Sequence, residues 1–159
     1  MIIDVLVLAS FYVIRVWAGA IAINVEVTAW LIIAAMLLAL FLGFGKRRHE
    51  LTQFGEDASS HRSILKEYSP YYLDQMIAVV TSSTIIVYIF YTFDETVKVN
   101  MGTELLPITI PFVLYGIFRY LYLIHQKELG GSPTQTIITD APLLIDVGLW
   151  VILALYLIS

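Results

Sequence analysis

Residues 2–23 read IIDVLVLASFYVIRVWAGAIAI. A helix needs about 20 mainly apolar residues to cross about 30 Å of hydrocarbon. This run has that length, and only Asp4 and Arg15 interrupt it with charge. Working outward, four further stretches qualify: Thr28–Phe44, Tyr71–Phe93, Glu104–Ile124 and Pro142–Ile158. The pattern predicts an all-α, polytopic membrane bundle of about five transmembrane helices. Residues 1–159 then form a single transmembrane domain, with a polar loop at 45–70.

Composition points the same way. The chain is 59% hydrophobic over 159 residues, against about 45–50% in soluble domains. A chain this small must still expose a large surface, so lipid is its natural solvent. The formal net charge of −4 gives no basic field for nucleic acid. Without cysteine, disulfides and thiolate metal sites are excluded. The N-terminus lacks a basic leader, and its apolar run outlasts a signal core.

Punctuation supports the spans. Ser69-Pro70 reads as an N-cap followed by proline at the first helical position. Gly43 and Gly45 are expected to close the second span. Pro107 and Pro111 should kink the fourth span or form its first turn. Lysine and arginine concentrate in the 45–70 segment: Lys46, Arg47, Arg48, Arg62 and Lys66. By the positive-inside rule that segment is cytoplasmic in the cell membrane, with the N-terminus inside and the C-terminus outside.

The charged groups are the candidates for chemistry. Basic residues after a membrane helix commonly serve only as anchors. Here they are interleaved with Glu50, Glu56, Asp57 and Glu67 and recur at both ends of the segment. A cap of that composition suits a diphosphate, because arginine binds phosphate oxygens bidentately and lysine neutralises them. A carboxylate can share Mg²⁺ with phosphates. Lys46 and Glu50 are also spaced for a plain i, i+4 ion pair. Tyr68 is a candidate phosphate donor. Arg15 lies deep in the first span, where a charge costs about 2.5–3.5 kcal/mol on insertion scales. It faces either an anionic site or a structural partner such as Asp146 or Asp74. Arg119 shares a face with Tyr115 and Tyr122, and either meets an anion or snorkels to the nearby interface. Asp74 is a dipole partner in the first turn of its helix or a site carboxylate. Asp140 reads as the cap of the last span. No P-loop, serine-nucleophile, dinucleotide or zinc motif is present.

An ordered series of motifs carries a resemblance over essentially the whole chain. The series is Arg15-Val16-Trp17-Ala18-Gly19-Ala20-Ile21-Ala22, Gly45-Lys46-Arg47-Arg48-His49-Glu50-Leu51, Glu67-Tyr68-Ser69-Pro70 with Leu73-Asp74-Gln75-Met76, Gly116-Ile117-Phe118-Arg119-Tyr120-Leu121-Tyr122, Gly130-Gly131-Ser132-Pro133-Thr134 and Thr139-Asp140-Ala141-Pro142-Leu143. It resembles the second half of UbiA-superfamily transferases of the decaprenyl-phosphate phosphoribosyltransferase branch. The resemblance implies the last five helices of a nine-helix bundle, with the 45–70 segment as one of two cytoplasmic polar regions at the active site. It implies phosphoribosyl pyrophosphate as donor, a polyprenyl phosphate lipid as acceptor and Mg²⁺ as cofactor. Lys46, Arg47 and Glu50 take the catalytic positions. Arg15, Arg62, Lys66, Tyr68 and Arg119 take substrate-binding positions, and Glu50 and Asp74 metal positions. Aromatic-acceptor prenyltransferases of the superfamily usually carry an aspartate-rich motif in this second polar region. None is present, which favours the phosphoribosyl branch. The other aspartate-rich motif belongs to the first half of such enzymes, which leaves three expectations open: a truncated gene, one half of a split enzyme with a separate N-terminal half as partner, or a mis-called start. A membrane fragment that binds polyprenyl phosphate without chemistry is the competing expectation.

Overall fold

A computed structural model describes residues 2–24, 27–54, 69–127 and 131–159. Among these residues the chain forms seven α-helices and no strand. They are α1 (Ile2–Ala22), α2 (Ala29–Phe54), α3 (Pro70–Phe93), α4 (Glu95–Met101), α5 (Ile110–Gln126), α6 (Pro133–Thr139) and α7 (Ala141–Ile158). A 3₁₀ turn, Leu106–Thr109, leads into α5. Five helical segments are long and apolar enough to cross a membrane: α1, α2, α3, the 3₁₀ turn with α5, and α7. Large apolar side chains such as Ile3, Phe11, Ile145, Ile152 and Leu155 are exposed, as lipid-facing positions should be.

The chain divides into two compact units, Met1–Thr84 and Ile85–Ser159. In the first, α1 packs against α2. The covered stripe of α1 includes Val5, Ala9 and Ala20, spaced to share one helix face. Gly43 allows the close approach: a Cβ there would sit 3.2 Å from Val5 Cγ1. The expected stop at Gly43 and Gly45 is therefore corrected. The helix runs through both to Phe54, so the first third of the 45–70 segment is helix. Gly43 serves helix packing, as small residues do in membranes, and costs only about 1 kcal/mol of helix propensity.

The start of α3 is capped as the sequence suggests, with Ser69 Oγ accepting from the Tyr72 amide at 3.1 Å. The polar run Thr81-Ser82-Ser83-Thr84 lies inside this span. Each hydroxyl donates to the carbonyl four residues back, at 2.6–2.9 Å. A hydroxyl satisfied by its own helix can face lipid without leaving a polar group unpaired.

In the second unit, α5 and α6 both pack against α7. Pro107 lies in the 3₁₀ turn and Pro111 in the first turn of α5, where a missing amide hydrogen costs nothing. Gly102 ends α4 at φ +69°, a left-handed cap that suits glycine. A partly buried hydrogen-bonded chain ties three elements together. Trp150 Nε1 donates to Tyr88 Oη at 3.1 Å, and Tyr88 Oη meets Thr109 Oγ1 at 2.7 Å. Thr109 Oγ1 donates to the Leu106 carbonyl at 2.6 Å. Its proton is thus committed, which makes Tyr88 the donor to Thr109.

Candidate functional site

The helical extension of α2 carries Lys46, Arg47, Arg48, His49 and Glu50 past the apolar part of the span. Consecutive residues on a helix point about 100° apart, so this run distributes its charges around the helix. Arg47 turns inward and is only 7% exposed. Its Nη1 donates to Glu50 Oε2 at 3.0 Å, and its Nε lies 3.5 Å from Asp4 Oδ2 on α1. Those two atoms are buried, and their approach falls short of hydrogen-bond geometry. Arg48 points elsewhere and donates from Nε to Asp74 Oδ1 on α3 at 2.6 Å. Lys46 is exposed and makes no hydrogen bond or ion pair among the described residues.

The basic run thereby splits into two roles. Arg47 and Arg48 clamp α2 to the first turn of α1 through Asp4 and to the second turn of α3 through Asp74, one turn further in than the expected first-turn position. Lys46 is left presented to whatever lies outside. Glu50 belongs to Arg47 rather than to Lys46, at i, i+3 spacing. Among the described residues no three histidine, aspartate or glutamate side chains converge as a metal site. Glu50 and Asp74 each face an arginine. Arg62, Lys66 and Tyr68 lie outside the described residues.

Arg15 stands apart from this cluster. It is eleven residues beyond Asp4 on α1, about 16 Å along the helix axis. It is exposed and makes no hydrogen bond or ion pair among the described residues. Of its two expected partners, Asp74 is engaged by Arg48. Asp146 is buried in α7, with its Oδ2 2.9 Å from where a Cβ on Gly116 would stand.

Arg119 is held by the residue read as a helix cap. Its Nε and Nη2 donate to the two carboxylate oxygens of Asp140 at 3.0 and 2.8 Å. Its guanidinium also lies 5.0 Å from the Tyr122 ring centre, a cation–π distance. Asp140 caps α7 as expected, accepting from the Leu143 amide at 3.1 Å. The guanidinium beside it holds the Asp140 carboxyl below the usual carboxylate value, with the Leu143 amide adding to the effect. Asp140 engages Nε and Nη2, so an anionic substrate would be met through Arg119 Nη1.

Sequence reading did not single out Asp4, and it treated Arg48 only as part of a basic run. A signal for Asp4 was present: an acid in the first turn of a span, at the end of the hairpin where the basic run lies.

The fold thus defines an all-α, multi-pass membrane protein with a polar cluster at one end of its first helical hairpin. No family model matches the chain. It does resemble one half of decaprenyl-phosphate phosphoribosyltransferases. The relative from Corynebacterium glutamicum is 25% identical over 160 residues, covering 98% of this chain and 48% of that protein. The Mycobacterium tuberculosis relative is 24% identical over 150 residues, covering 94% and 48%. The one from Mycolicibacterium smegmatis is 23% identical over 157 residues, covering 94% and 49%. The chain spans about half the length of the curated relatives it matches.

Proposed function

We propose that this chain is the C-terminal half of a UbiA-type transferase that moves phosphoribose from phosphoribosyl pyrophosphate to a polyprenyl phosphate. The observation that carries this reading is a likeness to phosphoribosyltransferases spread over 98% of the chain. The polar end of the α1–α2 hairpin supports it, since it sets an exposed lysine beside a braced arginine pair. In the reaction, the bond from the anomeric carbon to the pyrophosphate oxygen breaks and its electron pair leaves with pyrophosphate. A phosphate oxygen of the lipid forms the new bond to that carbon. Lys46 neutralises charge gathering on the departing pyrophosphate, the kind of stabilisation that grows toward the transition state. Arg47 positions this end of α2 through Asp4 and Glu50. Lys66, Arg62 and Tyr68 belong to the same polar segment in sequence and are assigned to phosphate contacts. Mg²⁺ belongs to this reading, with Glu50 and Asp74 as its candidate carboxylates on this chain and further ones expected from the complementary half. The 45–70 segment is placed on the cytoplasmic side, where phosphoribosyl pyrophosphate would be met.

The test is reconstitution. This chain is placed in liposomes with polyprenyl phosphate and labelled phosphoribosyl pyrophosphate. A parallel sample includes the half of the Corynebacterium glutamicum relative that this chain does not match. Label entering the lipid fraction, and lost with Lys46→Ala, is the expected result. Half coverage of the relatives also favours a second reading, a lipid-binding fragment without chemistry. Saturable retention of polyprenyl phosphate with no labelled product in either sample would select it.

A further inference from the structure

The clue is a charge with no counter-charge among the described residues. Arg15 lies at membrane depth on α1, with about 16 Å of helix between it and the Asp4–Arg47 cluster. About 10 Å of helix separates it from Ala22 at the other end. The residues sharing its face one and two turns on are Ala18, Gly19 and Ala22, all exposed. A Cβ at Gly19 would meet no atom within 4 Å, unlike Gly43, whose missing side chain admits Val5. Small residues are enriched where membrane helices approach closely. An intramembrane arginine is almost always directed at a protein interior and paired.

We infer that the Arg15 face of α1 seats a transmembrane helix bearing an aspartate or glutamate at the depth of Arg15. The inference rests on the transferase reading for its occupant. That occupant is the complementary half, which the relatives contain and this chain does not match, whether carried on the same polypeptide or another. Charge complementarity selects the partner, since among protein side chains only a carboxylate both neutralises a guanidinium and accepts its paired hydrogen bonds. Ala18, Gly19 and Ala22 let the two backbones approach closely enough for a short acidic side chain to reach.

The chain has no cysteine, so one photo-crosslinkable thiol can be placed at will. In membranes of the source organism, Ala18→Cys carrying a benzophenone probes the Arg15 face. Trp17→Cys probes nearly the opposite side of α1 at the same depth. The expected product from the first is a peptide cross-link to a transmembrane helix, identified by mass spectrometry and containing Asp or Glu. Its yield should fall about tenfold with Arg15→Gln, the scale of losing an interhelical polar contact. Exchanging the charges, with Arg15→Glu and arginine in place of the partner carboxylate, should restore it. The Trp17 probe should give lipid adducts. Lipid adducts alone at Ala18, or a protein product indifferent to Arg15→Gln, would overturn the inference. Transferase activity in the same membranes reports separately: activity with only lipid at this face removes the docking helix, while a charge-dependent cross-link without activity removes the transferase reading.

Discussion

Lys46 and Arg47 are neighbours in sequence with opposite fates, and that contrast yields a double prediction. Arg47 is buried between two carboxylates, so Arg47→Ala removes the buried cation that they share. Breaking a buried pair by removing one partner costs about 3–5 kcal/mol in soluble proteins. A loss of about 3 kcal/mol should appear in denaturation of the purified chain in mixed micelles. Lys46→Ala should leave that curve in place and lower transfer about a hundredfold, the scale of removing one transition-state charge partner. Equal effects of the two substitutions on stability would refute the division of roles. The basic run was visible in the sequence, but its division was not. Which lysine or arginine turns inward depends on the helical phase of 46–50 and on Asp4 facing it, and the phase is hidden once that segment is read as loop. Asp140 supplies a second prediction. Its folded value lies below its ordinary 3.8 because Arg119 donates to it. Stability from the pair is thus present above about pH 4 and lost as pH falls through the lower folded value. Asp140→Asn keeps a competent cap and removes the charge. The stability difference between wild type and Asp140→Asn should therefore be full at pH 6 and vanish toward pH 2, read by thermal unfolding in detergent.

At the level of the elements, the spans were legible and their ends were less so. Apolar runs of about 20 residues force helix in lipid because no other open structure satisfies the backbone. The segments Ile2–Ile23, Tyr71–Phe93 and Pro142–Ile158 accordingly match α1, α3 and α7 to within about one residue. The end of α2 was misread because Gly43 looks the same whether it stops a helix or admits a neighbour; only Val5 at 3.2 Å decides between them. The Trp150–Tyr88–Thr109 chain was not legible either. It joins residues 21 and 62 positions apart in sequence, and no local spacing announces it. It holds α3, α7 and the 3₁₀ turn by polar contacts. In membranes such contacts average about 0.6 kcal/mol and reach about 1.7. Trp150→Phe keeps most of the aromatic bulk and deletes the donor. It should cost about 1 kcal/mol, and Tyr88→Phe somewhat more, because it leaves both the indole N–H and Thr109 unmatched. If adding Trp150→Phe to Tyr88→Phe costs as much again as it does alone, the two contacts are independent rather than a chain.

For the whole molecule, parity and charge combine into a prediction about topology. Five candidate spans among the described residues are an odd number, which predicts that the two ends of the chain lie on opposite sides of the membrane. Lysine and arginine then choose which side. Lys46, Arg47, Arg48, Arg62 and Lys66 fall between the second and third spans, whereas Lys98 is the one basic residue between the third and fourth. Lys98 is moreover neutralised locally, with its Nζ 2.7 Å from Glu95. The bias therefore predicts the 45–70 segment inside, the 94–105 connection outside and the C-terminus outside. Because the chain lacks cysteine, single thiols report on sidedness without background. A membrane-impermeant maleimide applied to intact cells should label Val99→Cys and Ser159→Cys. It should label Gln53→Cys only after the membrane is opened. Labelling of Gln53→Cys in intact cells would invert the chain and carry Lys46 away from the cytoplasm, where the soluble donor would have to be met. That outcome would remove the transferase reading even if every helix stayed in place, because the same bundle placed upside down presents its polar end to the wrong compartment.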